Sequence, residues 1–243
     1  MTSDPPVTPR EASVSPREAS VEREREQQTA AISRRWPLLS GLAAVLVVAG
    51  LGAIIAYREG NLPYSIDTEW MSEIIEHRNP AWEVPALLMN NIGGGLFGIV
   101  VVPIAIILVL CALRRFWAAG YFTAATIVSA GIVQLLKNTF DRPRPEDILV
   151  TADLGSFPSG HTANAATMAV VIGFIARRAW VWVAGVAYTI LMLLSRNYLG
   201  AHWLSDTVGG LVLGAGVAIV LWVPFAHRLQ KERMSRRKRP FAA

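Results

Sequence analysis

The sequence KNTFDRPRP at residues 137–145 is the first of three polar clusters that interrupt long apolar runs, and PSGH at 158–161 and SRNYLGAHWLSD at 195–206 are the others. Ionisable side chains between membrane-length apolar runs are costly and tend to mark function. Among their residues are two of the chain's four histidines, the three well-spaced cations Lys137, Arg144 and Arg196, and the carboxylate of Asp206. Such a set of side chains suits the binding of a phosphate group.

The composition indicates a multi-pass membrane protein. The chain has 243 residues, of which 53% are hydrophobic, and the hydrophobic residues gather into runs of roughly twenty, the length that crosses a bilayer. The net charge is +5, but the basic residues crowd the two ends and the short connections between the runs. This placement predicts the bilayer as a partner and argues against nucleic acid.

The ends of the chain differ from its middle. Residues 1–35 are rich in Glu, Arg, Ser and Pro and repeat the sequence PREASV at 9–14 and 16–21, which predicts a disordered cytoplasmic tail, with a helical turn or two at 21–28 left open. Residues 36–226 are predicted to form one membrane domain, and residues 227–243 a basic cytoplasmic tail. Cys111 is the only cysteine, so an intramolecular disulfide is excluded, and its apolar surroundings indicate packing.

The apolar runs predict an all-α protein, a bundle of six transmembrane helices. The first span, 36–57, is too long for the apolar region of a cleaved signal peptide. An interfacial or capping helix is predicted at 67–77, and Pro103 is expected to kink the second span. The other spans are predicted after the glycines at 93–95 and up to Leu113, at 117–136, from about 159 to 177, at 180–194, and from about 203 to 225.

The distribution of basic residues predicts the orientation. With a cytoplasmic N-terminus, six spans place 17 Lys and Arg on the cytoplasmic side and six on the other, as the positive-inside rule requires. Both termini are then cytoplasmic and all three clusters lie on the extracytoplasmic face. We therefore expect a protein of the cell membrane with a periplasmic or extracellular active site.

Each cluster has a chemical interpretation. Lys137, Arg144 and Arg196 can surround the oxygens of a phosphate, the arginines through bidentate contacts. Ser159 is placed to cap the fourth span, whose first backbone N–H groups, at Ser159 and Gly160, are expected to face an anion.

The histidines suggest catalysis beside that anion. His161 follows the predicted cap and can donate a proton to a leaving oxygen. His202 and Asp206 are four residues apart, so on a helix they share a face, and the carboxylate can accept a hydrogen bond from one imidazole nitrogen while the other stays free to attack.

The three clusters together resemble the three-part signature of the type 2 phosphatidic acid phosphatase superfamily, over roughly residues 67–225. The resemblance implies a membrane phosphatase that needs no metal or other cofactor and forms a phosphohistidine on His202. On that pattern Asp206 orients His202, and His161 serves as acid and then base. The phosphate-binding residues it implies are Lys137, Arg144, Ser159, Gly160 and Arg196, whereas Arg142 is not required and is left out.

Alternatives stay open at this point. The substrate implied is a lipid phosphate of the phosphatidic acid, phosphatidylglycerol phosphate or isoprenyl diphosphate type, and the oligomeric state is unknown. A non-catalytic protein that binds or transports anionic lipids would use the same cations, although it would not need both histidines and Asp206. A vanadium-dependent oxidase with a similar pocket is disfavoured by the six spans.

Overall fold

The computed structural model describes residues 16–57, 61–151 and 155–237, without the side chains of 16–34 and 236–237. Its regular secondary structure over these residues is helical, as the sequence predicts. The helices are α1 (Pro16–Tyr57), α2 (Ser65–Glu76), α3 (Pro80–Gly93), α4 (Val102–Ala112), α5 (Phe116–Phe140), α6 (Gly160–Ala176), α7 (Ala179–Tyr198) and α8 (Leu204–Arg237), with a π-helical segment at Phe97–Val101 before α4. The residues from Pro37 onward form a compact unit that contains the candidate site.

Helix α1 begins well before the predicted first span. Its apolar part, Arg35–Tyr57, is a candidate membrane span, but the helix starts at Pro16. The described part of the expected disordered tail is therefore helical, because Glu, Arg, Gln and Ala favour helix. Residues 1–15 of that tail lie outside the described residues. The basic C-terminal segment likewise continues α8 as far as Arg237.

Four helices are long and apolar enough to cross a bilayer: α5, α7 and the apolar parts of α1 and α8. The segments Pro80–Gly93 and Phe97–Ala112 meet at an angle of 46° and make a fifth span if they are one broken helix. Helix α6 has 17 residues and is a shorter apolar helix. The described residues thus form a polytopic all-helical protein with four or five candidate spans.

The break in the second span lies before Pro103. Pro103 falls in the first turn of α4, directly after the π-helical segment at Phe97–Val101. A proline lacks an N–H and crowds the preceding turn, and a π-helical turn accommodates both effects. The expected irregularity is therefore present, but it lies at Gly93–Val101 and not at the proline itself.

The turn between α6 and α7 lies at the two arginines, as predicted. Arg177 closes α6 with a left-handed backbone conformation (φ 53°), and Arg178 precedes α7 in an extended one. Helix α7 then runs to Tyr198, beyond the predicted end of the fifth span at 194. Ser195 and Arg196 consequently lie in its last turn.

Helix α6 packs against α5, α7 and α8. Glycines of α8 allow the close approach of α6, since a Cβ at Gly210 would lie 2.4 Å from the carbonyl oxygen of Ser159. Because α5 to α8 alternate in direction, the end of α5, the start of α6, the end of α7 and the start of α8 meet at one end of the bundle. The three polar clusters of the sequence lie at these helix ends.

Candidate active site

His202 lies in the turn between α7 and α8, two residues before α8 begins. Its exposed fraction is 2%, and its Nε2 is 3.4 Å from Nη1 of Arg144. Asn197 Nδ2 donates a hydrogen bond of 3.0 Å to the carbonyl oxygen of His202, which fixes the turn. The imidazole is thus held inside the protein with one nitrogen beside a guanidinium group.

The expected hydrogen bond between His202 and Asp206 is not formed. Nδ1 of His202 is 3.7 Å from Oδ2 of Asp206, which is beyond hydrogen-bond distance, and Oδ2 instead accepts from the backbone N–H of Trp203 at 2.9 Å. The prediction placed both residues on a helix, whereas His202 precedes it. Nδ1 is buried and makes no hydrogen bond with the described residues. The Asp206 carboxylate, 3.7 Å away, is still the acidic group beside it.

Lys137 and Arg144 converge on one carbonyl group. Nζ of Lys137 donates to the Gly155 oxygen at 2.6 Å, and Nη2 of Arg144 donates to the same oxygen at 3.1 Å. Arg144 Nη1 also donates to the carbonyl oxygen of Ala201 at 2.6 Å, next to His202. Gly155 adopts a positive φ of 66°, where a Cβ would lie 2.9 Å from the Lys137 carbonyl oxygen, so this turn requires glycine.

Arg196 reaches the pocket from the last turn of α7. Its exposed fraction is 2%, and its Nη1 donates to Oδ1 of Asn90 on α3. Arg196 and Arg144 each act electrostatically on His202, as does Lys137. The three predicted cations are therefore brought together around the imidazole.

The start of α6 differs in one respect from the prediction. Ser159 caps the helix, since its hydroxyl accepts from the N–H of Thr162 at 3.5 Å, but its own N–H donates to the carbonyl oxygen of Asp206 at 2.9 Å. The Ser159 N–H is therefore occupied by α8 and does not face an anion. Gly160 is half-buried and is the first residue of α6, at the start of the helix where it was predicted.

His161 lies one residue further along α6, partly exposed, against the break after α3. A Cβ at Gly94 would be 1.8 Å from its Nε2, so any larger residue there would displace the ring. His161 interacts electrostatically with His202 and with the three cations. The second predicted catalytic histidine thus shares the pocket with the first.

The surroundings of His202 favour its neutral form. Burial is the largest cause, and the positive charges of Arg196 and Arg144 add to it, so the pKa of His202 lies well below its usual value of 6.5. A neutral imidazole has a free lone pair on one nitrogen. His202 is therefore competent as a nucleophile at neutral pH.

Arg142, which the family signature does not require, is buried in this region with an exposed fraction of 1%. Its Nη1 is 2.5 Å from Oδ1 of Asp206, and its Nη2 is 2.9 Å from Oδ2 of Asp67 on α2. The sequence did indicate that Asp67 is unusual. It precedes Trp70 and Met71 by three and four residues, so this carboxylate lies on the apolar face of α2. Asn90 and Gly155 carried no comparable signal.

One group of side chains among the described residues has the spacing of metal ligands, namely Glu73 and Glu76 of α2 and His77 directly after it. All three are exposed, in contrast to the buried pocket around His202. Exposed acidic groups are common without an ion. The pocket itself concentrates cations, which repel a metal ion and attract an anion.

Three comparisons bear on these observations. Residues 118–229 match the model of the PAP2 superfamily. Among similar proteins, an undecaprenyl-diphosphatase of Sulfolobus acidocaldarius is 32% identical over 78 residues, or 32% of this chain, and a phosphatidylglycerophosphatase B of Bacillus subtilis is 34% identical over 91 residues, or 33%. A decaprenylphosphoryl-5-phosphoribose phosphatase of Mycobacterium tuberculosis is 32% identical over 44% of this chain. The matches span 34%, 45% and 60% of these relatives' own lengths.

Two solved structures share the fold. Aquifex aeolicus LpxE superposes with a TM-score of 0.59 at 24% identity, covering 65% of this chain and 95% of the other. A transmembrane PAP2 type phosphatidylglycerolphosphate phosphatase from Bacillus subtilis gives a TM-score of 0.55 at 23% identity, covering 78% and 96%. The resemblance predicted from the three motifs is confirmed by the match of residues 118–229 to the PAP2 superfamily.

Proposed function

We propose that this protein is an integral-membrane lipid phosphate phosphatase that removes a terminal phosphate through a phosphohistidine on His202. The observation that carries the proposal is the position of the buried His202 beside Arg144, with Arg196, Lys137 and His161 within electrostatic reach. Cations that only bound an anionic headgroup would not need a buried neutral imidazole among them. The similar proteins named above as phosphatases, and the match to the PAP2 superfamily, support the same activity.

The reaction follows from the roles that these side chains can take. Nε2 of His202 attacks phosphorus and forms a P–N bond, while the bond from phosphorus to the leaving oxygen breaks and His161 gives that oxygen a proton. His161 then takes a proton from water as the water oxygen bonds to phosphorus. The P–N bond breaks, which releases phosphate and restores the neutral imidazole of His202. Lys137, Arg144, Arg196 and, at the start of α6, the Ser159 hydroxyl and the Gly160 N–H would stabilise the charge on the phosphoryl oxygens.

The proposed placement is a domain of six spans over residues 36–226 in the cell membrane. Both termini would be cytoplasmic and the pocket extracytoplasmic, as the distribution of basic residues requires. This count takes the bent pair at α3 and α4 as one broken span and α6 as a short one. The count is supported by the position of the three motifs at one end of α5 to α8. With six spans and a cytoplasmic N-terminus, that end would face the extracytoplasmic side.

The substrate class proposed is a lipid phosphate or diphosphate. The names of the relatives include a prenyl diphosphate, a glycerophospholipid phosphate and a prenyl-linked sugar phosphate, so the shared feature is a terminal phosphate on a lipid. The test is a panel of phosphatidic acid, phosphatidylglycerol phosphate and an isoprenyl diphosphate in mixed micelles, with free phosphate as the readout.

The decisive experiment compares wild type with His202→Ala in the presence of a chelator. We expect wild type to release phosphate and to become labelled on histidine, and the variant to lose at least about 10⁴-fold in turnover and all labelling. His77→Ala changes an exposed histidine directly after α2 and is the matched control. Loss of wild-type turnover in chelator would contradict the metal-free mechanism, and lipid binding without turnover would favour a binding or transport protein.

A further inference from the structure

Helix α2 contacts the start of α8 through a buried carboxylate. Asp67 is fully buried, and its Oδ1 accepts from the backbone N–H of Ser205 at 2.8 Å, while its Oδ2 accepts from the Ser205 hydroxyl at 2.8 Å. Ser205 lies between His202 and Asp206 along the chain. Asp67 itself lies outside residues 118–229, the segment that matches the superfamily.

Arg142 joins this carboxylate to the one beside the nucleophile. Its two terminal nitrogens pair with Asp67 at 2.9 Å and with Asp206 at 2.5 Å, and all three side chains are fully buried. Arg142 Nη1 also donates to the Ser205 hydroxyl at 2.8 Å. A planar guanidinium group that pairs with two carboxylates fixes the orientation of both.

A second contact from α2 reaches the other side of the same turn. Nε1 of Trp70 donates to Oδ1 of Asn197 at 3.3 Å, and Asn197 in turn donates to the carbonyl oxygen of His202. The turn that carries His202 is therefore held by α2 at two points, through Ser205 and through Asn197.

The charges of this group have a consequence for catalysis. Arg142 with Asp206 alone would form a neutral pair, whereas the addition of Asp67 gives the three side chains a net charge of −1. When Nε2 of a neutral imidazole bonds to phosphorus, the ring becomes positive. A net negative group on the Nδ1 side stabilises that positive charge, as Coulomb attraction is strong in a buried site.

We propose that Asp67 and Arg142 are positioning residues for His202, with Asp67 holding the turn and keeping the carboxylate of Asp206 oriented toward Nδ1. This inference rests on the proposed phosphohistidine mechanism. It assigns a function to α2, a helix that the match to the superfamily does not include. Neither residue contacts the phosphate pocket through the bonds described above, so both act through Asp206 and the turn.

The test is the rate of phosphohistidine formation in a single turnover, measured for Asp67→Asn in the full-length protein. The substitution keeps the shape of the side chain and removes its charge. We expect a rate about 10- to 100-fold lower than wild type, as is typical when a group that orients a catalytic side chain is lost. Glu69→Gln, the same chemical change at an exposed position on α2, is the matched control and should label at the wild-type rate.

A second readout separates positioning from general damage to the site. The inhibition constant for inorganic phosphate reports the cation pocket, and we expect Asp67→Asn to leave it within about twofold of wild type, because α2 does not contribute to that pocket. Ser205→Ala removes only the hydroxyl between Asp67 and Arg142, and we expect about a fivefold lower rate, the effect of one hydrogen bond. This variant tests the proposal even if Asp67→Asn fails to fold.

The inference is overturned if Asp67→Asn, or Ser205→Ala where the first variant does not fold, forms phosphohistidine as fast as Glu69→Gln. It is also overturned if the phosphate inhibition constant rises by as much as the labelling rate falls, since that result describes a loosened pocket. A wild-type protein that releases phosphate without labelling, or releases none, would instead contradict the proposed function.

Discussion

Arg142 and Arg144 are two residues apart in the same loop, and yet their surroundings differ. Arg142 is fully buried and pairs with the carboxylates of Asp67 and Asp206. Arg144 is half-buried, donates to the carbonyl oxygens of Ala201 and Gly155, and lies 3.4 Å from His202 Nε2. Arg142 thus lies on the side of the His202 turn that contacts α2, whereas Arg144 lies on the side of the proposed phosphate pocket.

The difference shows how one loop can serve two purposes. Carboxylates neutralise Arg142, so its remaining role is to hold groups in place, and removing it leaves two like charges buried. Arg144 donates to neutral carbonyl oxygens and lies beside Nε2 of His202, a position from which a guanidinium group can bind the oxygens of a phosphate. The intervening Pro143 restricts the backbone between them.

Arg142→Met should give the largest effect, and it should be on stability. We expect the free energy of unfolding to fall by about 3–5 kcal/mol, because the loss of one partner leaves Asp67 and Asp206 buried without compensation. Denaturant or thermal unfolding of the purified protein in detergent measures it. Arg178→Met, at an exposed arginine before α7, is the control and should change stability by less than about 0.5 kcal/mol. Equal stability of the two variants would contradict the buried network.

Arg144→Ala should show the opposite pattern. We expect kcat/KM to fall by about 10²- to 10³-fold, as when one donor to a developing negative charge is removed, with a smaller loss of stability than in Arg142→Met. The measurement is steady-state phosphate release alongside the same unfolding assay. If both arginine variants lose stability and activity to the same extent, the distinction between them is wrong.

Much of this arrangement was predictable from the sequence. The helix ends follow from apolar runs bounded by charges, and the alternation of α5 to α8 then brings Lys137, His161, Arg196 and His202 to the same end of the bundle. The family signature selected these residues because their chemistry is specific in combination. The turn at Arg177 was predicted from the cost of placing arginine at membrane depth.

The remainder depends on contacts between residues distant in sequence. Asp67 and Arg142 are 75 residues apart, and only packing of α2 against the turn brings them together. The helical spacing rule failed for His202 because the helix starts two residues later. The expectation that the Ser159 N–H faces an anion failed because Asp206 of α8 supplies its acceptor. Local patterns cannot specify such pairings.

His161→Ala should distinguish a role of His161 as general acid from a role in binding phosphate. If His161 protonates the leaving oxygen, the loss should be about 10²-fold greater for a lipid phosphate, a poor leaving group, than for an activated aryl phosphate. The ratio of the two kcat/KM values is the measurement. Arg144→Ala is the internal comparison, since loss of a phosphate contact should affect both substrates alike. An unchanged ratio in His161→Ala would remove the acid role.

The smallest expected effect is the change of stability and kcat/KM with pH. It tests how the cations of the pocket act on His202. Burial first, and then the charges of Arg196 and Arg144, lower the pKa of His202 well below 6.5, so the folded protein keeps the imidazole neutral where the unfolded chain binds a proton. Stability from this group is therefore present above pH 6.5 and is lost as the pH falls below it. For activity, we expect protonation of His202 to reduce kcat/KM by less than about twofold between pH 7.5 and 6.5.

Arg196→Gln removes one of the positive charges and should raise the pKa of His202, so the acid limb of the kcat/KM profile should move to higher pH even though the overall rate falls. Arg178→Gln changes the same residue type at an exposed position and should leave the limb in place. The pH at the midpoint of the acid limb reports ionisation of the free enzyme, because the profile is that of kcat/KM. It therefore does not depend on how tightly each variant binds phosphate. A limb that stays fixed in Arg196→Gln would mean that the cations act on the substrate alone, and that burial by itself keeps His202 neutral.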